Sequence, residues 1–241
     1  MIIGILGSLG DHELATTGAR ASDCGNGKTV TLTHMLYSEA MRRDEQFPEG
    51  RKVICNYHTR YQGAQWGTPS WAEYRTSQEI FDIWMEVEEG HPDYGAVIGF
   101  TELSALINSA SRDTKLIAYI ERCLNQRRKN GWDVIWDSQT LGSADKRWRD
   151  KTEYIYKPMK FHCQWDPNYK AFIPSEHCPI DNCRERHQIV VYIEKSPMPL
   201  TILDLKTPQM VINAWEIGML FDTNEKMKDV LHLNKAWIKP Q

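Results

Sequence analysis

The chain has 241 residues, 41% hydrophobic and 25% charged, which excludes a disordered segment, a collagen-like repeat and a disulfide-stapled miniprotein. Lys+Arg 29 against Asp+Glu 32 gives a net charge of -3, so no global basic field attracts nucleic acid, and any such contact needs a local patch or a ring of subunits. No run approaches the roughly 20 apolar residues that span a bilayer, and the apolar opening MIIGILGSLG has no basic flank, so a soluble intracellular protein is expected.

In chain order, residues 2–7 (IIGILG) predict a short buried strand, and 28–43 carry apolar positions at helical spacing. Residues 52–57 (KVICNY) predict a second strand. A helix is expected over 77–89, capped by Ser77 and striped with Ile, Phe, Trp, Met and Val. Residues 95–100 (GAVIGF) predict a third strand, 113–130 an amphipathic helix stopped by Gly131, and 132–137 (WDVIWD) a fourth strand. This alternation argues for an α/β fold with a mainly parallel sheet covered by helices. The segment 153–193 breaks the rhythm and reads as strands around a Cys/His-rich excursion, followed by a helix near 208–218. Trp132 and Trp136 on the fourth strand are expected in the core. Without repeat or linker, one domain over 1–241 is expected.

A phosphate loop needs glycines so that backbone N–H groups can curl around phosphate oxygens, a Lys for the β/γ-phosphates and a Ser or Thr for Mg²⁺. Gly27-Lys28-Thr29 opens the first helix, but a contiguous match fails because Ser22 stands where the first glycine belongs. Gly7-Ser8-Leu9-Gly10, which ends the first strand, joined to Asn26-Gly27-Lys28-Thr29 gives GSLGNGKT, a full match. Residues 11–25 then form an insert: a tolerated surface loop, a remnant of a mobile element or a gene-model error. The bland alternative is a glycine-rich turn before a helix that carries Lys-Thr.

Hydrolysis also needs a carboxylate at a neighbouring strand tip. After GAVIGF come Thr101-Glu102, where Asp-Glu is usual; Glu102 can polarise water, and Thr101 can contact a metal-bound water without bringing charge. The fourth strand delivers Gln139, suited to bonding both a γ-phosphate and an attacking water. Arg127 and Arg128 end a helix, where basic residues complement the helix dipole; the sharper alternative is an arginine finger reaching a neighbouring subunit. Residues 145–151 (DKRWRDK) form a second basic patch.

The order GSLG…NGKT, AVIGFTEL, RRKNGWDVIWDSQ and ADKRWRDKTEYIYKP resembles the FtsK–HerA superfamily of P-loop ATPases, in the style of archaeal-virus packaging ATPases and Zot-like phage ATPases. The similarity covers about residues 1–160, and FDTNEK at 221–226 resembles the family's C-terminal end. It implies a RecA-like core, a hexameric ring, ATP and Mg²⁺ as cofactors, and ATP-driven movement of double-stranded DNA, with a capsid or membrane-vertex partner. For a viral protein it implies the host cytoplasm or the virion. Carried over by residue, Gly7–Gly10 and Asn26–Thr29 bind nucleotide, with Lys28 on phosphate and Thr29 on Mg²⁺. Glu102 is the catalytic acid, Gln139 the sensor, and Arg127 or Arg128 the finger. Thr101 departs from the family's Asp, and the insert departs from its loop.

The six cysteines read as reduced thiols, with metal binding open for the last three. Cys163, Cys178, Cys183 and His187 would supply a tetrahedral Zn²⁺ site; a loop of reduced cysteines and surface histidines is the alternative. Two further functions compete with a translocase. One is a nucleotide-binding assembly protein that keeps the fold without turnover. The other is a small-molecule kinase, disfavoured because no Arg-rich lid is evident.

Overall fold

The computed structural model describes residues 1–6, 27–65, 68–103, 114–139, 144–166, 171–174, 188–195 and 210–222. Strand β1 (Ile2–Leu6) is buried at every position, as a strand covered on both faces must be. The strands that follow are β2 (Val53–Cys55), β3 (Glu73–Tyr74), β4 (Val97–Phe100) and β5 (Asp133–Ser138). Then come β6 (Tyr154–Asp166), β7 (Ala171–Pro174), β8 (Gln188–Lys195) and β9 (Met210–Asn213). The helices are α1 (Lys28–Met41), α2 (Ser77–Trp84), α3 (Thr114–Gln126), α4 (Lys146–Lys151) and α5 (Ala214–Gly218).

All the strands join one sheet in the order β3-β2-β4-β5-β1-β6-β8-β9, with β7 also paired to β6. From β3 to β6 the pairs are parallel, and β6, β7, β8 and β9 then pair antiparallel. β5 is inserted between β1 and β4, so the carboxyl ends of these three strands lie side by side. In open α/β sheets ligands bind outside those ends.

Alternation along β1 divides the core into two layers. Ile2 and Leu6 join Phe81, Trp84, Leu116, Ile120, Trp136 and Trp148 on the face covered by α2, α3 and α4. Ile3 and Ile5 join Leu32, Leu36, Val97, Ile135 and Ile217 on the face covered by α1 and α5. Gly4 pairs with Trp136 across the β1–β5 ladder, and a Cβ there would come within 2.6 Å of the indole Cζ2. The glycine leaves the room the indole fills.

Three local expectations change. Thr76, not Ser77, caps α2, and it forms a reciprocal capping box with Glu79. The α2 helix stops at Trp84 rather than 89, where Glu86, Glu88 and Glu89 would crowd the negative end of the dipole. The helix expected over 208–218 is instead β9, whose Val211-Ile212 pair suits a strand on β8, followed by a five-residue helix. The basic run 145–151 folds as α4, capped by Asp145, and buries Trp148. Trp132 and Trp136 are core residues, as expected.

Candidate nucleotide site at the strand tips

Helix α1 starts from Gly27, whose φ of 85° lies in the left-handed region that a side chain disfavours. A Cβ there would also fall 2.3 Å from Cδ1 of Ile189 on β8, so the position is closed on two counts. The Thr31 hydroxyl donates back to the Gly27 carbonyl at 2.9 Å and secures the first turn. This leaves the positive end of a 14-residue helix at the β1 edge of the strand tips, suited to an anion.

Lys28, the first residue of α1, donates from Nζ to Oε1 of Gln139 at 2.8 Å. Gln139 follows the last residue of β5 and is exposed. One step along the helix, the Thr29 hydroxyl donates to Oδ2 of Asp137 at 3.2 Å. Thr101, just beyond β4, donates to the same oxygen at 3.1 Å, and the Glu102 N–H donates to Oδ1 at 2.7 Å. Asp137 is 1% exposed. Burial pushes its carboxyl above the usual carboxylate range, and the Glu102 N–H, the Lys28 charge and the two threonine hydroxyls offset only part of that.

The turn after β4 is held from both sides. Thr101 N–H donates to Oδ1 of Asn56 at 2.8 Å, and Asn56 Nδ2 reaches Oγ of Ser77 at 3.1 Å. Within this turn Glu102 has φ 53°, a left-handed conformation uncommon for a residue with a side chain. The strained peptide aims its N–H at Asp137 while the Glu102 side chain stays exposed.

The structure thus brings Lys28, Thr29, Thr101, Glu102 and Gln139 to one edge of the sheet, around Asp137. Sequence reasoning passed over Asp137. The available signal was a carboxylate directly after the apolar run Val134–Trp136, near the carboxyl end of β5 and two residues before Gln139. Arg127 and Arg128 precede β5 and stand at the opposite edge, where the Trp132 N–H donates to the Arg127 carbonyl at 3.2 Å. The Arg127 side chain is buried and pairs with Glu153, whereas Arg128 is exposed. Gly7, Ser8, Leu9, Gly10, Asn26 and the insert 11–25 lie outside the described residues. Cys178, Cys183 and His187 also lie outside them, and Cys163 is placed on β6 by its backbone. Among the described residues, no cluster of three or more His, Cys, Asp or Glu could hold a metal ion, and no helix is long and apolar enough to cross a membrane.

No protein-family model matches the chain, and no curated protein matches it. Among solved structures it is similar to the N-terminal domain of zonular occludens toxin from Neisseria meningitidis. That likeness has a TM-score of 0.50 at 14% identity and covers 92% of this chain and 98% of that domain. The fold is that of a RecA-like P-loop NTPase. Two other structures overlap less well. The genome packaging NTPase of Sulfolobus turreted icosahedral virus 2, in complex with ATP-gammaS, is 13% identical with a TM-score of 0.42, covering 82% of this chain and 98% of that one. The flagellar accessory protein FlaH from Methanocaldococcus jannaschii is 16% identical with a TM-score of 0.39, covering 80% and 77%.

Proposed function

We propose that this protein is an Mg²⁺-dependent ATPase that moves double-stranded DNA through a homo-hexameric ring, as a viral genome-packaging motor does. The observation that carries the proposal is the insertion of β5 between β1 and β4, with Gln139 bonded to Lys28 and the Glu102 N–H bonded to Asp137 of the same strand. A kinase would need an acceptor site; a glutamine on the phosphate lysine and an acid at the neighbouring strand tip suit a water nucleophile instead.

The donor set fits Mg-ATP: an ammonium, a helix N-terminus and hard oxygens from two hydroxyls and a carboxylate. Bound Mg-ATP supplies the phosphoryl group and neutralises part of the charge that develops as it transfers. In the proposed division of labour, Gly7–Gly10 and Asn26–Gly27 wrap the phosphates and Lys28 grips the β/γ oxygens. Thr29 offers its hydroxyl to the metal, Glu102 orients water, and Gln139 reports the γ-phosphate. The finger in trans falls to Arg128, because Arg127 is committed to Glu153. A zinc site on Cys163, Cys178, Cys183 and His187 belongs to the same proposal and is checked by metal analysis of the purified protein.

The second reading, an assembly protein that binds nucleotide without turnover, is favoured by Thr101 at the position of the family's Asp and by the insert 11–25. DNA-stimulated phosphate release separates the two. The motor requires release in the parent protein, and Glu102→Gln should keep nucleotide binding and lose release. It also requires a ring whose mass, measured with ATP and DNA, is six times that of one chain. Release absent from the parent and from a deletion of 11–25 would establish the assembly reading. Mixing Lys28→Ala with Arg128→Ala subunits should restore part of the activity if the finger acts in trans, since each supplies what the other lacks.

A further inference from the structure

We propose that Asp137 on β5 supplies the carboxylate that holds the nucleotide's divalent cation beside Thr29, in place of the β4 aspartate that the family pattern puts at position 101. The inference rests on the nucleotide-binding part of the proposed function.

A P-loop protein holds Mg²⁺ between the loop's Ser or Thr and a strand-tip aspartate. Thr101 offers a hydroxyl there but no charge. The register of the sheet puts a carboxylate at the same level on the adjacent strand. Phe100 pairs with Trp136, so the next residues, Thr101 and Asp137, stand side by side on adjacent strands. A carboxylate thus stands one strand over from position 101, at the same level.

The geometry fits a hard octahedral cation. Oδ2 of Asp137 lies 3.2 Å from the Thr29 hydroxyl and 3.1 Å from the Thr101 hydroxyl. With Mg–O distances of about 2.1 Å, adjacent donors of an octahedral shell lie about 3.0 Å apart. The second oxygen, Oδ1, is held by the Glu102 N–H at 2.7 Å, which fixes the plane of the carboxylate. One side chain therefore ties the metal donors to the peptide that carries the proposed catalytic acid.

A structural role is the rival account. An apolar residue would fill a sheet interior at lower cost, because a buried carboxylate loses its hydration. Asp137 sits at that cost near the end of β5, with Oδ2 accepting from Thr29, the second residue of α1.

The test measures Mn²⁺ binding by electron paramagnetic resonance in the full chain saturated with a non-hydrolysable ATP analogue. Asp137→Asn, nearly isosteric and still able to accept from the Glu102 N–H, should bind Mn²⁺ about 10–100-fold more weakly. Thr101→Asp/Asp137→Asn should recover most of that loss. Mn²⁺ affinity in Asp137→Asn within twofold of the parent would overturn the proposal. Should Asp137→Asn fail to fold, the parent decides the matter. With ¹³C-labelled aspartate, bound Mn²⁺ should show carbon hyperfine coupling, and its absence would overturn the proposal as well. A parent that binds neither fluorescent ATP nor nucleotide-dependent Mn²⁺ would instead remove the nucleotide reading itself, a result distinct from a parent that binds both and is indifferent to Asp137.

Discussion

Lys28 and Gln139 are joined by a 2.8 Å hydrogen bond, which links the first residue of α1 to the residue that follows β5. A phosphate at the helix N-terminus would compete with Gln139 Oε1 for the Lys28 donor. A charge-assisted hydrogen bond from Lys28 to a bound phosphate would be worth about 1.5–3 kcal/mol. Lys28→Ala should therefore weaken nucleotide binding about 10–100-fold, measured by fluorescence titration. Gln139→Ala should leave binding within about threefold and lower phosphate release by about 100-fold, the effect of removing one donor aimed at developing charge.

Asp93 anchors an acid-sensitive network. It is 3% exposed and bonded by Arg75 at 2.6 Å and Lys52 at 2.5 Å. Burial pulls its pKa upward, but the bonds from Arg75 and Lys52 together outweigh burial and hold it below the usual value of 3.8. A carboxyl lowered in the folded state stabilises the protein above its unfolded pKa, and that contribution is lost as pH falls through the folded value. Thermal melts should thus fall steeply below about pH 4. Asp93→Asn should flatten that fall and cost about 1–3 kcal/mol at neutral pH, since Lys52 and Arg75 lose the buried carboxylate but keep Glu73 as a counter-ion.

Trp148 packs from α4 against Phe100 at 5.8 Å, Trp84 at 6.4 Å, and Phe81 and Trp136 at 6.5 Å. Truncation to alanine should cost about 3–5 kcal/mol in chemical denaturation. Its buried Nε1 has no hydrogen-bond partner among the described residues. Trp148→Phe should therefore cost clearly less than Trp148→Ala, because it removes an unsatisfied donor along with part of the ring.

Gly4→Ala should destabilise by about 1–3 kcal/mol, since the new methyl meets the rigid Trp136 ring rather than a side chain that can swing away. Combining it with Trp136→Leu should cost less than the sum of the two single changes. Strict additivity in the denaturation data would mean that the two residues do not compete for the same space.

The parallel half of the fold was legible because its strands are short apolar runs separated by helices with clear stripes. Gly27-Lys28-Thr29 and Gln139 were legible for the same reason: each sits where a periodic segment begins or ends. Asp137 was not, because its meaning lies in hydrogen bonds to Thr101 and Thr29, 36 and 108 residues away in sequence. A terminal aspartate in WDVIWD looks like the polar end of a strand until the neighbouring strand is in place. Trp148 was hidden by its four basic neighbours, Lys146, Arg147, Arg149 and Lys151, whose charge masked a helix with one buried face. The strand at Met210–Asn213 depends on an edge offered by β8, and no local pattern announces that edge.

Ile189 lies over Gly27, and its strand β8 runs antiparallel along β6, the same strand that borders β1. A tug on β8 would travel by two routes at once, sideways through the β6 backbone into β1 and directly through a methyl group onto the start of α1. Both routes arrive at the two ends of the 7–26 segment. Strands β6 and β8 are thus geared to the place where phosphate is proposed to bind, and traction on β8 would be registered there directly.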